Sequence, residues 1–404
     1  MSKFRSPVRA TLALAATAVF GAIALPAQAQ LTVGVANTKA TLSGYVKLDA
    51  LVNTRSDGAG AAAGGDGLLV PTTIPVGANH SSPGESKQAT VHARESRFFL
   101  RTTTPSAMGE VVTHVEVDFF NGGLSGNEVV SNSHGLRLRH AYGSVGGFLA
   151  GQTWSNFMVP AALPESLDFG GGVAQTFIRQ AQVRYTTNVG GNAFSVALEN
   201  PESNVSGVGP AGDDRLPDLT ANLGFKAGKS QFWVTGLLRQ LRVDTPALSD
   251  VTDTGFGVSL YGVIPVGGKD SISFMAHGGK GIGRYFAGNL PDAFVVGSTI
   301  DAQNQYSGQI AYRHFWTNEW RSTIIASALV ADNTNAIALA NPTANKRFTS
   351  LHANLLYSPV PNVTTGVEYR WAKRETEGTN SLTGTAAAGT GINQTLQFSA
   401  KFGF

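Results

Sequence analysis

Apolar and polar residues alternate with period two along most of the chain, in segments of about ten residues divided by turn-rich stretches, which is the pattern of half-buried strands. The C-terminal segment is the clearest case. Ile392, Leu396, Phe398, Ala400, Phe402 and Phe404 share one face, and Asn393, Thr395, Gln397, Ser399 and Lys401 share the other. Ile272, Phe274 and Ala276 separate in the same way from Ser271, Ser273 and His277. The pattern predicts sixteen strands, at 41–54, 94–104, 110–120, 136–144, 148–155, 178–188, 193–200, 217–227, 230–242, 252–265, 269–279, 303–315, 319–330, 346–358, 362–374 and 391–404.

The fifteen intervening connections alternate strictly, eight long and seven short. Short ones carry hairpin residues such as Gly146-Gly147, Gly190-Gly191-Asn192 and Pro361-Asn362. Long ones include 55–93, 121–135, 156–177, 280–302 and 375–390. Sorting loops by length into two interleaved sets is what a transmembrane barrel does, with hairpins on the periplasmic side and long loops outside. A soluble sandwich has no reason to do so. Closure also pairs every backbone group, as lipid requires. The fold class expected is therefore all-β, an antiparallel transmembrane barrel of about 16 strands.

A separate signal precedes it. Lys3, Arg5 and Arg9 form a basic start, Ala10 to Leu25 an apolar stretch, and Ala27-Gln28-Ala29 a small-residue cleavage site. Residues 1–29 thus read as a cleaved signal peptide and 30–404 as the barrel domain, with 404 − 29 = 375 residues left. The chain's formal charge of +3 becomes 30 − 3 − 27 = 0, because the leader holds three cations and no acid. A clustered basic excess for nucleic acid is missing. With no cysteine, disulfides and thiolate chemistry are excluded.

Strand parity sends charge to the lumen. Lys47 and Asp49 point inward on the first strand, Arg97 and Arg101 on the second, Glu116 and Asp118 on the third, and Arg137 and Arg139 on the fourth. Arg184, Arg239, Arg313, Arg321, Arg370 and Arg374 follow. Facing lipid, each would cost about 2–4 kcal/mol at the bilayer midplane. The expected basic wall is Lys47, Arg97, Arg101, Arg137, Arg139, Arg184, Arg239 and Arg370, favouring small anionic solutes. Arg97 also falls beside Glu116 or Asp118 across the turn near Ala107, so part of this charge is expected to be neutralised within the wall. Scattered arginines in a wide pore select weakly, since exposed charges are screened within about 8 Å at physiological salt. A constriction is needed, and the connection 156–177 is the candidate, folded inward with Glu165 and Asp168 facing the basic wall.

Aromatics are uneven on the outer face. Phe256, Tyr306, Tyr312, Trp320, Tyr357, Tyr369, Trp371 and Phe402 supply interfacial anchors in the second half, whereas the first strand shows Leu42, Val46, Leu48 and Val52 without any. This predicts an oligomer with the early strands inside its interface. Enzyme signatures are poor. Gly224 to Ser230 has three residues between its glycines where a phosphate loop needs four, the histidines show no metal-ligand spacing, and no Gly-x-Ser-x-Gly occurs. Neither catalytic residues, nor a metal, nor a cofactor are expected.

Gly44-Tyr45-Val46-Lys47-Leu48-Asp49, Arg94-Glu95-Ser96-Arg97, Glu116-Val117-Asp118-Phe119-Phe120, Leu136 to Gly143 and Gly151-Gln152-Thr153-Trp154-Ser155 together resemble the DcaP-like trimeric outer-membrane porins, with Arg179 to Thr186 adding to the likeness. The resemblance covers 41–187 specifically. It implies a homotrimer of sixteen-stranded barrels passing small anions such as dicarboxylates. Arg97, Arg101, Arg137, Arg139 and Arg184 would form the basic wall, and the segment after Trp154 the constriction. Some relatives carry a helical extension before the barrel, while here only Gln30 to Ala40 precedes the first strand. The terminal Phe404 resembles the sorting signal of Gram-negative outer-membrane proteins, which implies outer-membrane lipid and the barrel assembly machinery as partners. The competing readings are a general porin with little charge preference and a surface adhesin or receptor barrel that uses its long loops.

Overall fold

The computed structural model describes residues 31–35, 37–55, 67–76, 88–121, 130–210, 214–288, 290–377 and 389–404. The expected signal peptide, 1–29, lies outside the described residues. Sixteen antiparallel strands close into one barrel: β1 (Thr38–Arg55), β2 (Arg97–Ser106), β3 (Gly109–Asn121), β4 (Gly135–Val145), β5 (Phe148–Trp154), β6 (Arg179–Val189), β7 (Asn192–Glu199), β8 (Asp218–Ala227), β9 (Ser230–Thr245), β10 (Leu248–Gly267), β11 (Asp270–Lys280), β12 (Asn304–Phe315), β13 (Trp320–Asp332), β14 (Asn345–Val360), β15 (Val363–Thr376) and β16 (Thr390–Gly403). Each pairs with its neighbours in sequence, and β16 returns to β1 with Leu48 opposite Ala400. Phe404 and Gly44 exchange backbone hydrogen bonds of 3.0 and 3.1 Å at the seam.

The period-two pattern has its predicted consequence. On β16 Leu396, Phe398 and Phe402 are exposed on the outer wall, and Asn393, Thr395, Gln397 and Ser399 are buried inside. The short turns use positive φ where hairpins demand it: Gly146 and Gly147 at 57° and 90°, Gly190 and Gly191 at 58° and 85°. Side chains disfavour this left-handed region, and both central residues of a type I′ turn must enter it.

Three elements depart from the expected layout. Leu31–Val35 is itself a strand, pairing with β1 at Val33 opposite Ala40 and so prolonging the seam below Phe404. The connection expected at 243–251 is a tight turn, with Thr245 opposite Leu248. A register shift beyond Val243 lets β9 and β10 continue as a hairpin past the wall. The second strand is broken: Gln88–His92 pairs with the upper part of β1, and β2 resumes at Arg97 opposite Tyr45. The intervening turn, closed by Ser96 N–H to the Ala93 carbonyl at 3.1 Å, turns Arg94 and Ser96 into the interior.

The interior is unevenly filled. Leu69 and Ile74 from the first long loop, Phe157 and Val173 from the third, and Ile282, Tyr285, Phe286 and Leu290 from the loop after β11 pack on Leu237, Leu329, Phe348 and Ala372 of the wall. An apolar core of this kind keeps water out of that part of the barrel. Open space is left against β1 to β9.

Candidate functional site

Inward parity on three neighbouring strands gathers a lattice of charge. β2 supplies Arg97, β3 supplies Glu116 and Asp118, and β4 supplies Arg137 and Arg139. Arg137 is bidentate on Asp118, with Nε and Nη2 at 2.9 and 2.8 Å from its two oxygens. Arg139 bridges both acids, Nε to Glu116 at 2.5 Å and Nη1 to Asp118 at 2.9 Å. Arg97 Nη1 lies 3.3 Å from Glu116 and Nη2 4.0 Å from Asp118. Three arginines thus meet two carboxylates. The reading that Arg97 would be partly neutralised across the hairpin is realised in this geometry.

Aromatic rings clamp the guanidinium faces. Arg137 lies over Phe120 and Phe169 at 5.6 and 5.3 Å, Arg139 over Phe169 and Trp154 at 5.4 and 5.7 Å, and Arg179 over Trp154 and Phe177 at 4.7 and 5.3 Å. Cation–π contact fixes each plane while leaving edge N–H groups as donors. Arg179 makes no salt bridge with a carboxylate among the described residues.

The segment between β5 and β6 is folded into the lumen and tied to the wall all round. Asn156 starts it: its N–H donates to Glu199 at 2.7 Å, and its side chain accepts from Ser195 Oγ at 2.6 Å. The Phe157 carbonyl accepts from Thr235 and Tyr261 at 3.0 and 2.9 Å. Glu165 is bidentate on Arg321 of β13, at 2.7 and 2.6 Å. Asp168 takes Arg370 of β15 at 2.8 Å, and Lys47 Nζ donates to the Leu167 carbonyl at 3.0 Å. Asp168 therefore meets Arg370 of the expected basic wall and Glu165 meets Arg321 of β13, while neither is paired with the Arg97–Arg139 lattice. The reason is the path of the loop, which swings across the barrel before returning past Phe169 to Phe177.

A cavity of about 920 Å³ remains between this loop and strands β1 to β9. It runs from the rim at the short-turn end, where Lys39 and Lys226 are exposed, up to Arg139 and Trp154. Its lining carries Lys39, Arg97, Arg101, Arg139, Arg184 and Lys226 against one carboxylate, Glu116. Arg184 leans on neutral acceptors, the Trp154 carbonyl at 2.6 Å and Gln182 Oε1 at 2.9 Å.

Of the expected basic wall, Arg97, Arg101, Arg139 and Arg184 line this cavity, while Lys47, Arg137, Arg239 and Arg370 do not. Lys47 is buried against Glu95 and, at 3.2 Å, Asp49. Arg137 lies above the cavity on Asp118. Arg370 is spent on Asp168. Arg239 is enclosed between Asp218 at 3.3 Å and Asp292 at 2.9 Å. There it helps hold the loop after β11, whose Tyr285 hydroxyl donates to Asp218 at 2.7 Å. Burial, with the Asp218 carboxylate beside it, pushes the Tyr285 phenol well above its ordinary value, so it remains a donor. Parity fixes the direction of a side chain, but filling of the lumen decides whether solvent reaches it. Sequence reasoning missed Lys39, Lys226 and Arg179. Parity carried one residue pair beyond the expected ends of β1 would have found Lys39, and Lys226 already shares the inward face of β8.

The family model for the DcaP outer membrane protein matches residues 28–387. The chain belongs to the DcaP outer membrane protein family. No curated protein matches it. Among solved structures it is similar to the outer membrane channel DcaP of Acinetobacter baumannii, at 26% identity over 92% of this chain and 99% of that one, with a TM-score of 0.75. The fold is shared with OmpT of Vibrio cholerae, 10% identical over 93% and 100% of the two chains, TM-score 0.56. It is shared too with an anion-selective porin from Comamonas acidovorans, 12% identical over 91% and 100%, TM-score 0.56. This DcaP-family chain is an outer-membrane channel of the porin class; in such barrels the short turns form the periplasmic end.

Proposed function

We propose that the channel is a passive porin for small hydrophilic anions, dicarboxylate-like solutes among them. The observation that carries this is the imbalance of the cavity lining, six Lys or Arg against the single carboxylate Glu116. Rings of basic side chains at close quarters favour anions because their field is felt where the permeant must pass. The similarly folded Comamonas porin is described as anion-selective. The decisive experiment is the reversal potential of the reconstituted protein under a KCl gradient, together with uptake of a dicarboxylate and of an uncharged solute of equal size into proteoliposomes. Anion selectivity and faster dicarboxylate uptake are expected. Equal rates would make this a general porin, and cation selectivity would overturn the reading.

The same proposal includes a homotrimer with the early strands inside. Leu42, Val46, Leu48 and Val52 face outward on β1 without an aromatic anchor. Above Ala141, β4 also parts from β5, and the Gln152 amide reaches across to the Leu138 and Arg139 carbonyls, each at 3.3 Å. Lipid does not tolerate a parted strand edge, whereas a neighbouring protein wall does. OmpT of Vibrio cholerae, which shares the fold, is described in a trimer form. Phe404 is read as the signal by which the assembly machinery takes the strand, and 1–29 as the removed leader. Phe404→Ser should lower the amount of folded barrel in the outer membrane; undiminished insertion would refute that role.

A further inference from the structure

We infer that the cavity is a periplasmic anion basin that makes the channel rectify and holds polyvalent organic or phosphate-type anions on the periplasmic side. This rests on the anion-channel reading and adds a direction to it. Lys39 on β1, Arg101 on β2, Arg184 on β6 and Lys226 on β8 reach the same cavity from four strands, and none has a carboxylate within salt-bridge distance among the described residues. All four lie on the periplasmic side of the Arg97–Arg139 lattice, in which three cations are set against two acids.

Toward the long-loop end the balance differs. Arg239 and Arg284 are matched by Asp218 and Asp292, and Arg370 by Asp168. Arg374 donates to Asn345 at 2.8 Å and to the Ile74 carbonyl at 2.9 Å, away from the cavity. Arg179, held between Trp154 and Phe177, is without a salt bridge on that side among the described residues, so what gathers at the short-turn mouth is the unpaired charge that lines the cavity.

Four uncompensated charges in about 920 Å³ correspond to a fixed-charge density of roughly several molar, far above any physiological salt, so counter-anions must occupy the basin. The Debye length is about 10 Å at 0.1 M and about 3 Å at 1 M, so the basin's field spans the mouth in dilute salt and collapses in concentrated salt. Anions driven inward from the periplasm are first concentrated by the basin. Those driven from outside first meet cations that are mostly paired, with Arg179 and the single excess charge of the lattice as the exceptions, before they reach it. A polyvalent anion gains more than a monovalent one from such a field, because its energy in the basin scales with its charge.

The test is single-channel recording of the intact reconstituted porin, with tripolyphosphate added to one chamber at a time. In 0.1 M KCl the currents at equal and opposite voltages should differ by about 1.5-fold or more, and in 1 M KCl by almost nothing. Tripolyphosphate should block strongly from one chamber only, and the blocking side should follow the sign of rectification from one insertion to the next. Lys39→Gln with Lys226→Gln, both at exposed positions, should flatten the current–voltage curve and raise the half-blocking concentration about fivefold or more. Arg101→Gln, on a different strand, should do the same and stands in if the double variant fails to fold. Symmetric currents in dilute salt, or equal block from both chambers, would overturn the basin while a retained anion-selective reversal potential left the channel reading intact. A cation-selective reversal potential would overturn both.

Discussion

Replacing Arg139 by Gln tests the lattice, because this residue touches both acids and is nearly inaccessible. Its side chain is 2% exposed, and it lies 2.5 Å from Glu116 and 2.9 Å from Asp118. Removing one partner of a buried, hydrogen-bonded ion pair costs about 3–5 kcal/mol, because the carboxylates are left undercompensated. The lattice then changes from three cations and two acids to two and two. A unit charge about 7 Å from the permeant acts with about 0.6 kcal/mol in a water-like dielectric. Because anion and cation feel it with opposite sign, the selectivity difference is about 1.2 kcal/mol before screening, and roughly 0.5 kcal/mol at physiological salt. That is about a twofold fall in the anion-to-cation permeability ratio, larger in dilute salt. Reversal potentials supply the ratio and denaturant unfolding in lipid vesicles the stability. Adding Glu116→Gln to Arg139→Gln returns the lattice to an excess of one cation, and should restore most of the selectivity and part of the stability. Unchanged selectivity in the single variant, or further loss in the double, would refute the charge accounting.

Gly147 sits at φ 90° with the Thr186 carbonyl 2.6 Å from where a Cβ would stand, so Gly147→Ala should cost about 1–3 kcal/mol in unfolding measurements. Glu165→Gln removes the bidentate hold on Arg321 and should raise open-channel current noise without changing the barrel's circular dichroism; an equally quiet channel would show that the other loop ties suffice. Leu48→Arg on the anchor-free wall should yield monomers on semi-native gels, whereas Phe256→Arg on the aromatic side should leave trimers of slightly lower thermal stability, a cation at the interface costing up to about 1 kcal/mol. Trimers surviving Leu48→Arg would move the interface elsewhere.

The barrel was legible because lipid outside and water inside impose a strict two-residue period on every strand. Strand ends were nearly as legible, since hairpin glycines such as Gly190 and Gly191 mark them chemically. What periodicity could not reach was the contents of the lumen. Arg239 and Arg101 obey the same inward parity, yet Arg239 lies between Asp218 and Asp292 under a loop while Arg101 faces open space. Asp292 belongs to a loop 53 positions along the chain from Arg239, and no local pattern announces that encounter. Glu165 and Asp168 were legible as loop acids, but the cations they meet depend on where the loop crosses.

A sixteen-stranded barrel is wide enough to leave a water-filled lumen, and in bulk water two charges about 4 Å apart interact by only about 1 kcal/mol. Selectivity on such a scaffold therefore depends first on removing water. The apolar cluster around Phe157, Tyr285 and Phe286 does this on the β9 to β15 side, and the inserted loop confines the path to the β1 to β9 wall. The arginines of that wall then act at contact range. On this argument the half-buried pair Arg321–Glu165 and the buried pairs Arg370–Asp168 and Arg239–Asp292 contribute to selectivity without meeting a solute, by fixing the filling against which the open cations work. Breaking any one of them should raise conductance and lower anion preference together, whereas neutralising Arg101 should lower anion preference alone. A pair variant that lost selectivity with no gain in conductance would place its effect in the field rather than in the filling.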